Sequence, residues 1–170
     1  MTELDRQLKQ LGGSVAALEL HFLQRVLDAL VKRPEVDPER IGMIGLSYGG
    51  FHTLFAAAVD TRIRAAVSSC FFSDRRIYGR RDWAWFNAAN TFFDAEVASL
   101  VCPRALYLEV GEQDDHFGVR YARAIVDEVR ARYVHLGLED HFRFRVHPGA
   151  HELDEADGGI DFLCNHLGLG

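Results

Sequence analysis

The sequence predicts an α/β fold in which a mostly parallel sheet of about four strands is flanked by helices. Two observations support this class. Short apolar stretches alternate along the chain with longer amphipathic ones, which is the order of repeated strand–helix units. The candidate strands are apolar along most of their length, as strands covered on both faces need to be. A chain of 170 residues has the size of one domain, so we expect residues 1–170 to form a single unit.

The N-terminal part is expected to contain a lead-in and one long helix. Residues 1–13 are polar and end in two glycines, which predicts a loosely held segment. Ser14 is a candidate N-cap for a helix that runs from Val15 to about Lys32. Apolar residues at helical spacing predict the stripe with which this helix lies on the sheet: Leu18, Phe22, Leu23, Val26, Leu27, Leu30 and Val31.

The middle of the chain is expected to hold two strands and an aromatic insertion. Apolar stretches predict strands over residues 41–46 and 63–72. Residues 73–100 form the insertion, with a helix expected in its second half. Its aromatic residues have two interpretations, a cluster that packs the loop onto the core or a wall of a substrate pocket. The candidates for such a wall are Trp83, Trp85 and Phe86.

The C-terminal part is expected to complete the sheet. Residues 105–110 predict a third strand, followed by a loop over 111–117 and a helix that ends near Tyr133. Residues 142–147 alternate between apolar and polar side chains, which is typical of a strand at a sheet edge. A closing helix is predicted to bury one face, made of Ile160, Leu163, Cys164 and Leu167.

The bulk composition argues against several classes of function. A formal charge of −6 does not favour a nucleic-acid surface, and no apolar run approaches the roughly 18 residues of a membrane span. The N-terminus lacks the pattern of a signal peptide. The three cysteines, Cys70, Cys102 and Cys164, lie in apolar stretches and are interpreted as buried thiols in a reducing cytoplasm. Neither a zinc-site spacing nor a phosphate-binding loop is present, so no metal or cofactor is expected.

The stretch with the strongest functional signal is Gly-Leu-Ser-Tyr-Gly at residues 45–49. It lies between a predicted strand and a predicted helix, which is the context that a nucleophile elbow requires. Such a turn needs small neighbours, and it projects the hydroxyl of Ser47 beyond the carboxyl end of the strand. The next backbone amide, that of Tyr48, then faces the same space. The alternative is a glycine-rich turn with no catalytic role.

A serine nucleophile needs a base, usually a histidine that a carboxylate orients. Asp114 follows the third predicted strand and His151 follows the fourth. The carboxyl ends of parallel strands all lie at the same end of the sheet, so both side chains are expected near Ser47. Asp115 is the alternative acid, and His52 is expected to be packed rather than catalytic. Residues expected to line the site are His116, Phe117 and His147.

Residues 14–170 resemble the C-terminal part of an α/β-hydrolase of the dienelactone hydrolase and acetyl xylan esterase type. The motifs that carry the resemblance are Val-Asp-Pro-Glu-Arg-Ile-Gly at 36–42, the elbow, Gly-Glu-Gln-Asp at 111–114 and His-Pro-Gly-Ala-His at 147–151. The resemblance implies Ser47 as nucleophile, Asp114 as acid and His151 as base. It also implies a truncated α/β-hydrolase fold, because complete members have further strands before the first helix found here.

The leading hypothesis is a carboxylesterase that works through an acyl-enzyme, and small acyl groups are favoured because the short chain offers little room for a lid. Tyr48 N–H is the expected oxyanion donor, and the loop that normally gives a second donor lies outside the matched part. The second donor is left open among the 73–100 insertion, another subunit and His116. The alternative is a hydrolase relic or subunit that acts as a structural or binding module. Because the strand at 41–46 would lie at a sheet edge without charge or proline, we expect a homodimer formed through that edge.

Overall fold

The computed structural model describes residues 3–77, 88–156 and 158–170. Within these residues, four strands form one sheet in which all neighbours are parallel and the order is β1-β2-β3-β4. The strands are β1 (Ile41–Leu46), β2 (Ile63–Ser69), β3 (Ala105–Gly111) and β4 (Phe142–His147). The α/β class and the parallel sheet predicted from the sequence are thereby confirmed.

Helices cover both faces of the sheet. They are α1 (Glu3–Gln10), α2 (Val15–Leu30), α3 (Tyr48–Val59), α4 (Ala88–Thr91), α5 (Asp94–Ser99), α6 (Val119–Arg123), α7 (Val126–His135) and α8 (Gly158–His166). Right-handed crossovers between strands that follow each other in the sheet place the connecting helices on one face. On that face, Leu54 of α3 and Val129 of α7 share a core with Leu106 of β3. On the other face, Phe162 of α8 packs with Val67 and other residues.

The N-terminal segment is a helix, so the prediction of a loosely held lead-in over residues 1–13 was wrong. Two ion pairs one turn apart stabilise α1, between Arg6 and Glu3 and between Lys9 and Asp5. Asp5 is buried, and its Oδ1 accepts a 3.4 Å hydrogen bond from the amide of Val15 at the start of α2. A polar sequence was therefore compatible with an ordered helix, because its charges pair with each other.

Helix α2 begins where the sequence predicted, but it buries a different face. Ser14 Oγ accepts a hydrogen bond from Ala17 N at 3.0 Å, which confirms the N-cap. The helix packs mainly against α3, and the residues it buries are Ala16, Leu20 and Leu27. Much of the predicted stripe is exposed, namely Leu18, Phe22, Val26 and Leu30. Apolar residues surround most of this helix, so spacing alone did not identify the side that meets the core.

Two further helix predictions needed correction. The helix expected up to Tyr133 is divided into α6 and α7, with Ile125 between them at φ −128° outside the helical range. In α8, Ile160 is 45% exposed and does not belong to the buried face, which Phe162 and Leu163 supply instead. The apolar spacing before Tyr133 identified the buried side of α6 and α7 but not the break between them, whereas in α8 it assigned Ile160 to the wrong side.

The insertion is pinned to the core at both of its ends. Asp94, at the start of α5, pairs with Arg75 at 2.9 Å, and both side chains are almost completely buried. The other carboxylate oxygen of Asp94 accepts a 3.0 Å hydrogen bond from Ser73 N. The helix predicted in the second half of the insertion is confirmed as α5. Trp83, Trp85 and Phe86 lie outside the described residues.

The two outer strands of the sheet differ in character. On β4, Arg143 and Arg145 alternate with half-buried or buried apolar residues, and this confirms the prediction of an edge strand there. At the opposite edge, β1 has no charged residue, and its Gly42 and Ile44 are exposed.

None of the helices in the described part of the chain has the length and apolar character needed to cross a membrane.

Candidate active site

The turn between β1 and α3 holds Ser47 in a strained backbone conformation. Its φ of 58° and ψ of −117° lie in a region that side chains other than glycine rarely adopt. Such strain costs on the order of 1–3 kcal/mol and is concentrated at functional sites. The amide of Ser47 donates a 2.9 Å hydrogen bond to Ser69 O, which ties the turn to the end of β2.

Close packing explains two of the glycines around this serine. A Cβ atom on Gly45 would lie 2.3 Å from the carbonyl oxygen of Gly49, and one on Gly50 would lie 2.5 Å from Ser69 O. Gly49 itself has open space around it. The positions that require glycine are therefore 45 and 50, whereas the motif had suggested 45 and 49. The strand and helix approach each other as an elbow requires.

A carboxylate and a histidine meet at the carboxyl ends of β3 and β4. His151 Nδ1 lies 2.9 Å from Asp114 Oδ2, and the Asp114 side chain is completely buried while His151 is one-quarter exposed. Asp114 Oδ1 accepts hydrogen bonds of 2.8 Å from the amides of His116 and Phe117. Both carboxylate oxygens are thus engaged, and Oδ2 is aimed at the imidazole.

These contacts keep Asp114 ionised. Burial alone would raise its pKa, but the hydrogen bonds from Phe117 N–H, His151 and His116 N–H together outweigh burial, so the pKa lies below its ordinary value. Asp115, the alternative acid, is highly exposed and its carboxylate lies 3.7 Å from the His116 ring. In this geometry Asp114, and not Asp115, contacts His151.

Aromatic rings hold the imidazole of His151 from two sides. Phe117 lies nearly parallel to it, with 5.8 Å between ring centroids and 17° between ring planes. His116 meets it edge-on at 5.1 Å. Both residues were expected near the site and both are adjacent to His151. His147 is not: it is buried, and its Nδ1 accepts a hydrogen bond from Gly149 N beneath the loop.

The loop that carries His151 is anchored to neighbouring strand ends. A Cβ on Gly111 would lie 1.8 Å from Ala150 O, so the end of β3 passes directly against the loop. The hydroxyl of Ser69 and the thiol of Cys70 each donate to Glu152 O at 3.4 Å. Further along, Asp154 N donates to the buried carboxylate of Glu109 at 3.2 Å. The ends of β2 and β3 thereby fix the position of the loop.

Ser47 also lies at the carboxyl ends of the strands, next to the residues that hold the His151 loop. It follows Leu46, the register partner of Ser69, and Cys70 follows Ser69. Among the described residues, no hydrogen bond joins the Ser47 hydroxyl to His151. Hydrogen bonds between catalytic groups are often long without substrate and shorten when it binds.

Tyr48 begins α3 and its side chain turns towards α2. Its hydroxyl donates to Glu19 Oε2, and His52 Nε2 lies 3.2 Å from the same oxygen. His52 is therefore a packed residue that joins two helices, as expected. The tyrosine ring is thus held on the α2 side, and the oxyanion role predicted for Tyr48 concerns its backbone amide and not this ring.

Cys70 is a site residue that the sequence did not reveal. Its φ is +50°, and together with Ser47 it makes the pair of non-glycine residues with positive φ in the described chain. One ligand atom each of Cys70, Asp114 and His151 lie within 4.8 Å of one another. Burial raises the pKa of the Cys70 thiol to about 11. Its position at the carboxyl end of the strand beside the elbow was the signal that was available.

Comparison with known proteins relates this chain to hydrolases. A model of the prolyl oligopeptidase family matches residues 19–98, which include the elbow. "Putative hydrolase YtaP" of Bacillus subtilis (strain 168) is 27% identical over 150 residues, which are 84% of this chain and 50% of that protein. The quorum-quenching protein AidA of Acinetobacter baumannii is 45% identical, but over 24% of this chain and 13% of its own length.

Solved structures give the fold. A glucuronoyl esterase from Sporotrichum thermophile superposes with a TM-score of 0.77 at 16% identity, over 94% of this chain and 53% of the esterase. A carbohydrate esterase family 15 glucuronoyl esterase from Caldicellulosiruptor kristjansonii gives 0.75 at 20% identity, over 92% and 51%. The chain spans about half the length of YtaP and of these esterases. The α/β-hydrolase fold that the motifs implied is therefore the fold of this chain.

Proposed function

We propose that this protein is a serine hydrolase that cleaves carboxylic esters with Ser47, His151 and Asp114. The observation that carries the proposal is the 2.9 Å contact between His151 Nδ1 and Asp114 Oδ2. This contact lies at the carboxyl ends of the strands, where the Ser47 elbow also lies. Hydrolases and esterases among the similar proteins support the same reaction class. One fold hosts many reactions, so the reaction class is inferred from these three residues.

The proposed mechanism gives each of the three residues a separate role. Ser47 Oγ attacks the ester carbonyl while His151 Nε2 accepts its proton, and the same proton then passes to the leaving alcohol. Asp114 holds the other imidazole nitrogen and stabilises the imidazolium that forms. The resulting acyl-enzyme is released by a water molecule that His151 activates in the same way.

The oxyanion of the tetrahedral intermediate is proposed to bind the amide of Tyr48. That amide follows the nucleophile at the start of α3, where helix N–H groups are directed outward. His116, whose ring meets that of His151 edge-on, is proposed as a side-chain source of a second donor. The insertion and a second subunit remain the other proposed sources. One donor more or less changes the rate by about 100- to 1,000-fold.

Small acyl groups are the proposed substrates on the acid side of the ester. Phe117 and His116 flank the base and would form the described part of the acyl pocket, with Trp83, Trp85 and Phe86 as further proposed members. Peptide-bond cleavage is the second candidate, because the family model that matches residues 19–98 is that of the prolyl oligopeptidases. The third candidate is a binding module with little turnover of its own.

The proposed working form is a cytoplasmic homodimer in which the β1 edges of two copies meet. Among the described residues β1 is the last strand on its side of the sheet, so its outer backbone groups have no strand partner there, and no charge or proline in β1 protects them. The three thiols, each free of disulfides, are compatible with a reducing compartment. Contact at this edge would bring a second subunit close to Ser47, which follows β1 directly.

A fluorophosphonate probe tests the proposal with the purified protein. We expect a single label on Ser47, located by peptide mass spectrometry, and no label on Ser47→Ala. Rates with p-nitrophenyl acetate and with a matched peptide p-nitroanilide then separate esterase from peptidase activity. A protein that is folded by circular dichroism yet neither labels nor turns over either substrate would contradict the enzyme proposal and favour the binding module.

A further inference from the structure

The proposed catalytic pair, Asp114 and His151, also belongs to a second cluster of reactive groups, which includes a thiol. The thiol of Cys70 approaches the carboxylate of Asp114 and the imidazole of His151, with one ligand atom from each inside a 4.8 Å cluster. The three residues follow three different strands and are 44 and 37 positions apart, since 114 − 70 is 44 and 151 − 114 is 37. No spacing rule for metal motifs would find such a group.

The backbone holds the Cys70 side chain in place at a cost. Cys70 shares positive φ with Ser47, and the two residues directly follow a register pair on β1 and β2. A non-glycine residue in this conformation persists only where its surroundings enforce it, and such residues are concentrated at functional sites. The amide of Cys70 donates a 2.8 Å hydrogen bond to Glu109 O, which fixes this conformation from the neighbouring strand.

We propose that Cys70, Asp114 and His151 form a binding site for one thiophilic divalent cation of the Zn²⁺ class. A thiolate, an imidazole and a carboxylate are the donor types that zinc takes in proteins, with a water molecule as the fourth ligand. Sulfur and nitrogen donors favour Zn²⁺ and Cd²⁺ over Mg²⁺ and Ca²⁺. The thiolate and the carboxylate together balance the two positive charges of the ion.

The geometry needs only small movements to close around an ion. Bonds of about 2.3 Å to sulfur and about 2.0 Å to nitrogen place tetrahedral ligand atoms roughly 3.5 Å apart. Rotation of the side chains would bring the cluster to this spacing. The ion would enter past the imidazole of His151, whose side chain is 25% exposed, because the Asp114 side chain behind it is fully buried.

Binding would switch off the base through its tautomer. In the metal-free pair, Nδ1 of His151 faces the carboxylate and carries a proton, which leaves Nε2 as the base. With the ion on Nδ1, the neutral ring carries its proton on Nε2 and cannot accept one from Ser47. The Cys70 thiol releases its proton to solvent as the sulfur–metal bond forms, and no electrons are transferred.

Cadmium titration of the chelator-treated protein tests the site without any substrate. A cadmium–thiolate bond gives an ultraviolet charge-transfer band, and we expect it to saturate at one ion per chain. The band should be absent from Cys70→Ala and present in Cys164→Ala, the matched control on α8. Asp114→Asn should bind Cd²⁺ at least about tenfold more weakly. Removal of a residue that only supports a metal ligand lowers affinity by about tenfold or more, and removal of a ligand itself should cost at least as much.

Two outcomes overturn the proposal. One is a wild-type protein that shows no thiolate band, and the other is a band that persists in Cys70→Ala and is lost in Cys164→Ala or Cys102→Ala. If Cys70→Ala does not fold, Cys70→Ser keeps the size and polarity of the side chain, and loss of the band in that variant is the readout.

The inhibitory effect, unlike the binding, rests on the proposed function. Zn²⁺ is expected to inhibit ester hydrolysis in the wild type and in Cys164→Ala, and to leave the rate of Cys70→Ala at that variant's own metal-free value. A band without hydrolase activity would contradict the esterase proposal alone. Hydrolysis that is inhibited equally in Cys70→Ala would contradict the role of this site.

Discussion

The two halves of the candidate site are held in place by different means. On the β1 side, Ser47 is positioned by the main chain, through its strained φ and the hydrogen bond of its amide to Ser69 O. On the β3–β4 side, Asp114 and His151 are positioned by side-chain hydrogen bonds and by stacked rings. The proposed nucleophile thus depends on backbone shape and the proposed base on a polar network, so different substitutions should disable each half.

The same contrast extends to the two edges of the sheet. The β4 edge carries Arg143 and Arg145, charges that discourage pairing with another strand. The β1 edge exposes Gly42 and Ile44 and has no such protection. The residues of β4 suit an outer strand that faces water. The residues of β1, which leads into the Ser47 turn, are those of an internal strand.

The largest expected effect is removal of either reacting group. Ser47→Ala and His151→Ala should each lower kcat/KM for p-nitrophenyl acetate by about 10⁴-fold or more, and the double variant should be little worse, because the groups act as a unit. Ser99→Ala, which removes a hydroxyl on α5, is the matched control and should retain activity. Near-normal turnover by Ser47→Ala would refute the mechanism.

Replacement of each of the two neighbouring aspartates by asparagine tests the polar network. Asp114→Asn should lower kcat by roughly 10⁴-fold, since an amide favours the wrong imidazole tautomer. Asp115→Asn should stay close to the wild type, because its carboxylate is highly exposed and lies 3.7 Å from the ring of His116. Steady-state kinetics of the two variants decide the assignment, and a reversed order would transfer the acid role to Asp115.

A methyl group in the elbow tests the role of backbone shape. Gly45→Ala places a Cβ against Gly49 O and should destabilise the protein by about 1–3 kcal/mol while displacing Ser47. Gly49→Ala meets open space in the first turn of α3 and should change stability by less than about 1 kcal/mol. Thermal unfolding and ester hydrolysis of both variants provide the measurement. Equal tolerance at both positions would argue against the close approach of strand and helix.

Acid titration of stability tests the charge state of Asp114. Its folded-state pKa is lowered, so its contribution to stability is present above the ordinary pKa of about 3.9 and is lost as pH falls through the folded value. The stability difference between wild type and Asp114→Asn should therefore be largest near neutral pH and shrink in acid. Chemical denaturation at a series of pH values measures it. A difference that grows towards low pH would contradict the sign of the shift.

The smallest expected change in turnover comes from charging the unprotected edge. Ile44→Lys should convert the proposed dimer into a monomer, because a lysine on an edge strand opposes pairing. Ile160→Lys on α8 has a comparably exposed side chain and should leave the mass unchanged. Light scattering at micromolar concentration distinguishes the two. A wild-type monomer, or a dimer that Ile44→Lys leaves intact, would rule out the β1 interface.

The sequence predicted the four strands because buried parallel strands are apolar and end in recognisable turns. It also predicted that Asp114 and His151 lie together, since both follow such strands. It failed for α1, where charge pairs within the helix replace an apolar stripe. It failed for the buried face of α2, where apolar residues point both inward and outward.

Cys70 escaped prediction for a different reason. Its neighbours in space, Asp114 and His151, are distant in the chain, and only the register of three strands brings them together. The strained φ that distinguishes it is a property of the folded backbone and leaves no trace in residue type. The crowding that selects glycine at 45 and 50 rather than 49 is likewise visible only in three dimensions.

The sheet order β1-β2-β3-β4 also has a consequence for synthesis on the ribosome. Space order equals chain order, so each strand that leaves the ribosome pairs with the strand made just before it. The nucleophile elbow, between β1 and α3, is expected to form early, whereas His151 follows the last strand. A nascent chain would hold Ser47 in place before His151, the proposed base, has been made, so the proposed triad is completed only after β4 has been synthesised.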